Sequence, residues 1–266
     1  MSLRFIASAS GAYAVITLAE MASSLVTMPI LTRYLSLRDY GVMLFIANGA
    51  ALINLLFGYS LAQALPPLYA AAQNDDARRR VTTTVTVATL AVAMPVHLAV
   101  ALLAPRIAVQ FLGDAAYATA IRFGALASFL TAASLTVATI MRMHERHWTY
   151  FRVQLPAVIG QLCLVIGLIA GLGLGLEGLY IATGLASLAT ALVFALLVWD
   201  ALKGRIERGL VVETGRIALG MVPWQLATLL TLNCAGSIGT AALRKARSRA
   251  RWKSRVEENL SRPRLA

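Results

Sequence analysis

The 266-residue chain is 59% hydrophobic and 14% charged, with a net charge of +12. Because an ordinary soluble domain is nearer ~45–50% apolar and ~25% charged, this composition indicates a helical membrane protein with several spans. The long unbroken apolar runs exclude a transmembrane β-barrel, whose segments alternate over about ten residues.

Much of the positive charge lies at the C-terminus. Nine basic residues and two glutamates fall between Arg244 and Arg264, so this tail carries +7 of the net charge. Cys163 and Cys234 both lie in apolar surroundings, which predicts neither a disulfide framework nor a metal site. An apolar run after Arg4 resembles a signal peptide, but it is long and contains Glu20. We therefore interpret it as the first membrane span.

The apolar segments predict six membrane-spanning helices, each close to the roughly 20 residues that cross a ~30 Å hydrocarbon core. In chain order they cover residues 12–31, 41–61, 81–103, 118–141, 153–172 and 179–199. The first two form a helical hairpin around the polar elbow from Leu31 to Gly41. A polar loop from Gln73 to Arg80 precedes the third span, in which Pro95 predicts a kink.

Small residues in the last two spans predict close helix packing. Gly167, Gly171 and Gly175 are spaced by four residues, and the following span has a similar small face. Small residues at this spacing let helix backbones approach closely in membranes. We expect the fifth and sixth spans to pack as a tight hairpin.

The charges of the connecting loops alternate along the chain. Eleven basic residues lie at the N-terminus and in the even-numbered loops, against three in the odd-numbered loops. The positive-inside rule therefore predicts a cytoplasmic N-terminus and cytoplasmic even loops. The six spans and this orientation together predict a six-helix lobe over residues 1–215, with both of its ends on the cytoplasmic side of the membrane.

The segment from residue 216 to residue 243 is apolar but is interrupted by Pro223, Gln225 and Asn233. If it is a seventh span, the basic tail of residues 244–266 lies outside, against the positive-inside rule. Three explanations stay open. The segment does not span, the tail is a basic arm for a membrane surface or nucleic acid, or the reading frame has departed from its original course.

The sequence shows no pattern of an enzyme. We find no phosphate-binding glycine loop, no H-E-x-x-H motif and no cysteine cluster, and we expect no cofactor and no bound metal. The noteworthy residues are polar groups at membrane depth, where ionisable side chains are costly and often functional. They are Glu20, Asn48, Asn54, His97, Arg122, Gln154 and Gln161.

These groups have two interpretations. In the functional interpretation they line a polar cavity. There Arg122 pairs with a phosphate-bearing substrate, Glu20 or His97 exchanges a proton or cation, and Asn48 is a further candidate for substrate or ion contact. In the structural one they form hydrogen bonds between helices that only fix the bundle. At the elbow, Arg33 and Asp39 are expected to form an ion pair, and with Tyr40 and Gly41 to anchor the turn.

The elbow sequence PILTRYLSLRDYG runs from Pro29 to Gly41 and is followed by GYSLAQALPPLY, from Gly58 to Tyr69. These residues resemble the polysaccharide-biosynthesis flippases, the oligosaccharide (O-antigen type) branch of a superfamily that includes multidrug and toxin extrusion transporters. Looser similarity continues through LAPRIAVQFLGD, MRMHERHWTYFR and GLGLGLEGLYIATGLA. The resemblance covers residues 5 to 230, and the elbow is its most specific part.

The resemblance implies a carrier with two six-helix lobes facing a central cavity. Such carriers move undecaprenyl-diphosphate-linked oligosaccharide across the bacterial inner membrane for surface polysaccharide and lipopolysaccharide biosynthesis. It implies membrane lipids, and polymerase or assembly proteins, as further partners, and no nucleic acid. The sequence departs from the family pattern near Asn233, so we expect a truncated second lobe. The alternatives are a small-molecule exporter of the same superfamily and a non-transporting partner of a polysaccharide assembly complex.

Overall fold

The computed structural model describes residues 3–144 and 147–227. Contacts divide the chain into two units between residues 220 and 221. The predicted seventh segment is therefore described only up to residue 227, and the predicted basic tail lies outside the described residues. Throughout the described ranges the regular structure is helical, with no strand.

Nine helices are described in chain order. They are α1 (Leu3–Tyr34), α2 (Leu37–Ile53), α3 (Ser60–Ala62), α4 (Leu65–Ala71), α5 (Asp75–Ile107), α6 (Ala118–Met143), α7 (His147–Ile166), α8 (Gly175–Leu197) and α9 (residues 208–227). Wider π-helical turns continue α2, α5 and α7 through Asn54–Tyr59, Ala108–Leu112 and Gly167–Gly171.

The six predicted spans are confirmed. Six helical stretches in the described chain are long and apolar enough to cross a membrane: Gly11–Tyr34, Leu37–Gly58, Asp75–Leu112, Ala115–Met143, His147–Gly171 and Gly175–Leu197. Their large apolar side chains are exposed along the outward faces, as expected of surfaces that contact lipid chains. The chain is an all-α, multi-pass membrane protein.

The third span is longer than predicted at both ends: it begins within the polar loop, at Asp75, and it continues past residue 103 to Leu112. Asn74 caps α5, and its side chain accepts a hydrogen bond from the backbone N–H of Ala77 at 2.8 Å. Asp75 and Asp76 follow in the first turn, where negative charge is stabilised by the helix dipole. The helix then continues through Pro95 to Ile107.

The first two spans are consecutive but diverge. They are joined at Leu35 and Ser36. Along its length α1 packs mainly against α7 and has few contacts with α2. The centre of the bundle is α6, which packs most extensively on α8 and α5. The approach of α2 to α6 depends on glycine, because a Cβ at Gly124 of α6 would meet the side chain of Ile46 on α2 at 2.5 Å.

The predicted packing of α7 on α8 is found, but the glycines of the fifth span are not what it depends on. A Cβ at Gly167 or Gly171 would meet nothing within 4 Å. The close approach is at Gly178 of α8, where a Cβ would lie 3.3 Å from the backbone of Leu168, in the π-helical turn that continues α7. Gly184 of α8 lies against Ala127 of α6, so α8 has small-residue contacts with both neighbours.

Replacing Gly204 with alanine is expected to destabilise the described unit by about 1–3 kcal/mol, the usual cost of overpacking. A Cβ at this position would overlap the backbone carbonyl of Arg79, which is rigid because it lies in α5. Thermal unfolding in detergent measures the effect. Gly209→Ala is the matched control, since a Cβ there meets nothing within 4 Å; equal stability of both variants would contradict the packing.

Candidate functional site

A line of polar side chains runs along the contact between α1 and α7, and we call it the α1–α7 seam. On α1 its residues are Tyr13, Glu20, Ser24 and Thr27, and on α7 they are Tyr150, Gln154 and Gln161. Residues three, four or seven apart share one helix face, so each set faces the partner helix. The sequence thus produces one continuous polar stripe between two otherwise apolar spans.

The middle of the seam opens into a cavity of about 440 Å³. Gln154 donates a long hydrogen bond from Nε2 to Oε1 of Glu20, at 3.4 Å. The serine and threonine residues of α1 and Gln161 of α7 also line this cavity, with Met43 and Leu179 from α2 and α8. Among its described lining residues, Glu20 alone is charged. The cavity therefore offers hydroxyl, amide and carboxylate groups at membrane depth.

One end of the seam is closed by aromatic rings and an arginine. The rings of Tyr13 and Tyr150 lie 5.5 Å apart, and Tyr150 stacks on Phe194. The guanidinium of Arg142 lies 5.8 Å from the centre of the Tyr150 ring and donates a 2.8 Å hydrogen bond to the hydroxyl of Thr139. No ion pair to Arg142 is present in the described part of the chain.

Arg142 is not among the predicted site residues, because a basic residue next to a span indicates only a loop charge. It lies in the last turn of α6 and is half-buried. A signal was available in the sequence: Thr139 precedes it by three residues and therefore lies on the same face of the helix. Its proximity to Tyr150 depends on how α6, α7 and α8 pack, which the sequence does not reveal.

The opposite half of the seam connects to the neighbouring helices. Gln161 donates to the hydroxyl of Thr183 on α8 at 3.4 Å. Tyr180 of α8 donates from its hydroxyl to the backbone carbonyl of Met43 on α2 at 3.2 Å. These bonds connect the seam to α2 and α8, so the structural interpretation of Gln161 as an interhelical contact is supported.

The predicted site residues are not brought together in one cavity. Glu20 lines the seam cavity with an exposed side chain, while His97 lies between α5 and α6, where it is 4% exposed. Asn48 is exposed on α2, and Arg122 is exposed near the start of α6. Neither of them lines the seam cavity. Their roles in binding or coupling stay predictions.

His97 belongs to a separate buried network with Ser128 and Asn54. Its Nδ1 lies 2.7 Å from the carbonyl oxygen of Ala93, and its Nε2 lies 3.1 Å from the hydroxyl of Ser128. Asn54 donates from Nδ2 to the same hydroxyl at 2.9 Å. Because Ser128 is on α6 and Asn54 begins the π-helical turn after α2, the network joins three helices.

The elbow does not contain the predicted Arg33–Asp39 ion pair. Asp39 forms a capping box at the start of α2, where its Oδ2 accepts from the hydroxyl and the backbone N–H of Ser36 at 2.7 and 3.2 Å. Its Oδ1 accepts from the hydroxyl of Tyr117 at 3.1 Å. The carboxylate is thus turned toward its own helix start, away from the last turn of α1, which contains Arg33.

The ion pair at the elbow is instead made by Arg38. It lies 3.5 Å from Asp114 and donates to the backbone carbonyl of Leu112 at 3.3 Å. Tyr40 donates to the sulfur of Met28 at 3.4 Å, whereas a Cβ at Gly41 would meet nothing within 4 Å. The elbow is therefore attached to the loop between α5 and α6, in keeping with an anchoring role.

Replacing Ser36 with alanine is expected to lower the unfolding free energy by about 1 kcal/mol, the typical cost of losing a helix cap. The loss arises because the backbone N–H of Asp39, which donates to the Ser36 hydroxyl at 3.1 Å, loses its acceptor. Chemical unfolding in detergent measures it. Thr32→Ala, which removes a local bond to the carbonyl of Pro29, serves as control, and an equal loss in both would argue against the cap.

A bundle of six apolar spans with buried polar groups defines the class, an all-α membrane protein with the fold of a transporter lobe. Within the described residues there is no cluster of three or more His, Cys, Asp or Glu suited to a metal ion. The family model for polysaccharide biosynthesis proteins matches residues 8–234, and the chain belongs to this family. No curated protein matches the chain with significance.

Solved transporters of the MOP superfamily share this fold. A transporter from Pyrococcus furiosus, described as having a binding pocket of reverse polarity that suggests a different function, has a TM-score of 0.62 and 15% identity over 84% of this chain. An outward-facing multidrug resistance MATE transporter gives 0.58 and 16% over 84%, and a MATE complex with Br-NRF gives 0.57 and 17% over 82%. This chain spans 54% of each of those chains.

Proposed function

We propose that the chain acts as one lobe of a flippase for undecaprenyl-diphosphate-linked oligosaccharide in the bacterial inner membrane, serving surface polysaccharide biosynthesis. The observation that carries this proposal is the α1–α7 seam, a polar stripe that includes a cavity within an apolar bundle. Family membership supports the polysaccharide context. The activity would require a complementary lobe, whether from a longer chain or from a partner.

The seam offers two kinds of contact suited to such a substrate. Gln154, Gln161 and the α1 hydroxyls can donate and accept hydrogen bonds, as a sugar requires, and few well-placed polar groups normally fix a ligand's orientation. Arg142 supplies a cation without a carboxylate partner in the described chain, at the end of the seam. We place the diphosphate at Arg142 and the glycan along the cavity.

The remaining predicted residues have secondary roles in this proposal. Glu20 is the first candidate for ion coupling, because it is the charged group of the cavity at mid-span. Arg122 and Asn48 would contact substrate from outside the seam cavity, and His97 would act from its own buried network. The N-terminus would be cytoplasmic, and polysaccharide polymerases or other assembly proteins would be the partners of the complete machine.

A second candidate function is export of a cationic small molecule. It is favoured by one observation, that Glu20 is the charged residue among the described residues lining the cavity. A carboxylate at membrane depth attracts a cation and opposes a phosphate. The MATE transporters with the same fold fit this alternative as well as the first.

Binding measurements on the purified chain in detergent separate the two functions. We expect a fluorescent undecaprenyl-diphosphate oligosaccharide to bind more tightly than undecaprenyl phosphate, and Gln154→Leu to weaken this binding about 5- to 10-fold, the loss of one net hydrogen bond. Thr17→Val, an exposed position on α1 that does not line the cavity, is the control. Binding of a cationic dye that is lost in Glu20→Gln, with no glycolipid binding, would favour the exporter.

A further inference from the structure

We propose that a second cavity, at the face where α5 begins, binds the headgroup of an amino-phospholipid, a phosphodiester that ends in a primary ammonium. This cavity has a volume of about 610 Å³ and is separate from the seam cavity. Its walls come from α4, the start of α5, the end of α6 and the 3₁₀ turn Trp199–Leu202. The polar residues that line it are Tyr69, Asp75, Arg78, Arg79, His144 and Asp200.

The cavity lies where a lipid headgroup would be found. The apolar part of α5 starts at Val81, α6 ends at Met143 and α8 ends at Leu197, so three spans change from apolar to polar at this level. Basic side chains next to membrane spans attract lipid phosphates at the surface of the membrane. A charged cavity at this depth is thus presented to headgroups that are already concentrated there.

The position of a phosphate is set by Arg78. Its guanidinium lies 5.3 Å from the centre of the Tyr69 ring, and its NH1 lies 3.6 Å from Oδ1 of Asp75. The same tyrosine ring lies 5.9 Å from the ring of His144. Because the side chain of Arg78 is held on an aromatic face, a phosphate contact would cost less conformational entropy than contact with a free surface arginine.

Hydrogen bonds hold the segment that follows α8, which begins just after the lining residues Asp200 and Ala201. The hydroxyl of Thr83 accepts from the backbone N–H of Gly204 at 3.0 Å, and the hydroxyl of Thr84 accepts from that of Glu207 at 3.1 Å. Both threonines are buried. These bonds fix the segment after α8 against the first turns of α5. Two of the elements that form the cavity are therefore held together by the fold itself.

The carboxylates select the ammonium. The side chains of Asp75 and Asp200 are 89% and 84% exposed, whereas that of Arg78 is 45% exposed. Both carboxylates are therefore accessible to a ligand. An amino-phospholipid headgroup has one anionic and one cationic group, and the cavity offers a guanidinium for the first and carboxylates for the second.

Asp200 remains ionised in this arrangement. Lys203 donates to its Oδ1 at 2.7 Å, and this hydrogen bond holds the pKa of the Asp200 carboxyl below its usual range. Oδ2 of Asp200 stays available to an ammonium. A phosphatidylglycerol headgroup has no ammonium for these carboxylates, and a choline headgroup has no N–H to donate to them.

Native mass spectrometry of the whole chain, purified in detergent with added lipid, tests this site. We expect phosphatidylethanolamine to be retained at least 5-fold more than phosphatidylglycerol or phosphatidylcholine, and inorganic phosphate not to displace it. Arg78→Gln should remove most of the retention, whereas Arg106→Gln, at the other end of the same helix, should leave it unchanged. Circular dichroism verifies that each variant is folded.

A double variant, Asp75→Asn with Asp200→Asn, keeps the arginines and removes the ammonium site. We expect it to retain phosphatidylethanolamine and phosphatidylglycerol equally. Equal retention of the three lipids by the unmodified chain, a preference for phosphatidylglycerol, or displacement by inorganic phosphate would each overturn the proposal. The result is independent of the flippase proposal, because the chain can bind this lipid whether or not it binds a glycolipid at the seam.

Discussion

Replacing Arg142 with glutamine is expected to weaken binding of undecaprenyl-diphosphate oligosaccharide by roughly 10- to 100-fold, since a hydrogen bond to a charged group contributes about 1.5–3 kcal/mol. The guanidinium is the cation that lies beside the aromatic end of the seam, against Tyr150 and Thr139. Glutamine keeps part of the length of the side chain but has no charge. Equilibrium binding with a fluorescent glycolipid measures the effect.

Two further variants make this result specific. Arg142→Lys keeps the charge but loses the planar guanidinium, so we expect an intermediate loss of affinity. Arg122→Gln tests the residue that the sequence favoured for phosphate contact. If Arg122→Gln weakens binding more than Arg142→Gln does, the diphosphate lies at the opposite end of the bundle and the assignment of Arg142 is wrong.

Replacing Ser128 with alanine is expected to lower the unfolding free energy by about 2–4 kcal/mol, because buried polar groups left without a partner each cost about 1–3 kcal/mol. The single hydroxyl of Ser128 forms hydrogen bonds with both Nε2 of His97 and Nδ2 of Asn54. Alanine leaves both of these groups unpaired inside the bundle. The midpoint of thermal or denaturant unfolding in detergent reports the change.

Ser187→Ala is the matched control for Ser128→Ala. The hydroxyl of Ser187 lies 2.9 Å from that of Thr131, which also donates to the carbonyl oxygen of Ala127. The loss of Ser187 therefore leaves Thr131 with another partner, and interhelical hydrogen bonds in membranes contribute only ~0.6 kcal/mol on average. A smaller loss for Ser128→Ala than for Ser187→Ala would contradict the network around His97.

The spans and the class of fold were predictable because each helix must satisfy its own backbone hydrogen bonds in lipid. Length and hydropathy alone then locate the six spans, but not their ends: polar residues stay helical at Asp75–Arg80, and the same helical stretch continues past the predicted end at residue 103 to Leu112. The short helix α4 was not predicted because Leu65–Ala71 follows directly on an apolar span. The π-helical turns leave no clear signal in the sequence.

The candidate site was only partly predictable, because membrane depth identifies costly residues without indicating their neighbours. Glu20, Gln154 and Gln161 were recognised separately, and the seam that unites them depends on the packing of α1 against α7. His97 was recognised as buried and polar, but its partner Ser128 was not, since serine is unremarkable in a span. At the elbow, Asp39 was paired with the wrong residue because its capping bond competes with an ion pair.

Photo-crosslinking tests the central claim most directly, which is that the substrate lies along the α1–α7 seam. An undecaprenyl-diphosphate oligosaccharide with a diazirine on its first sugar is irradiated with the purified chain, and labelled peptides are identified by mass spectrometry. The account predicts labels within residues 20–31 and 150–165, and their loss on competition with unlabelled glycolipid. Labels confined to α5 and the outer face of α6, with none on α1 or α7, would contradict it.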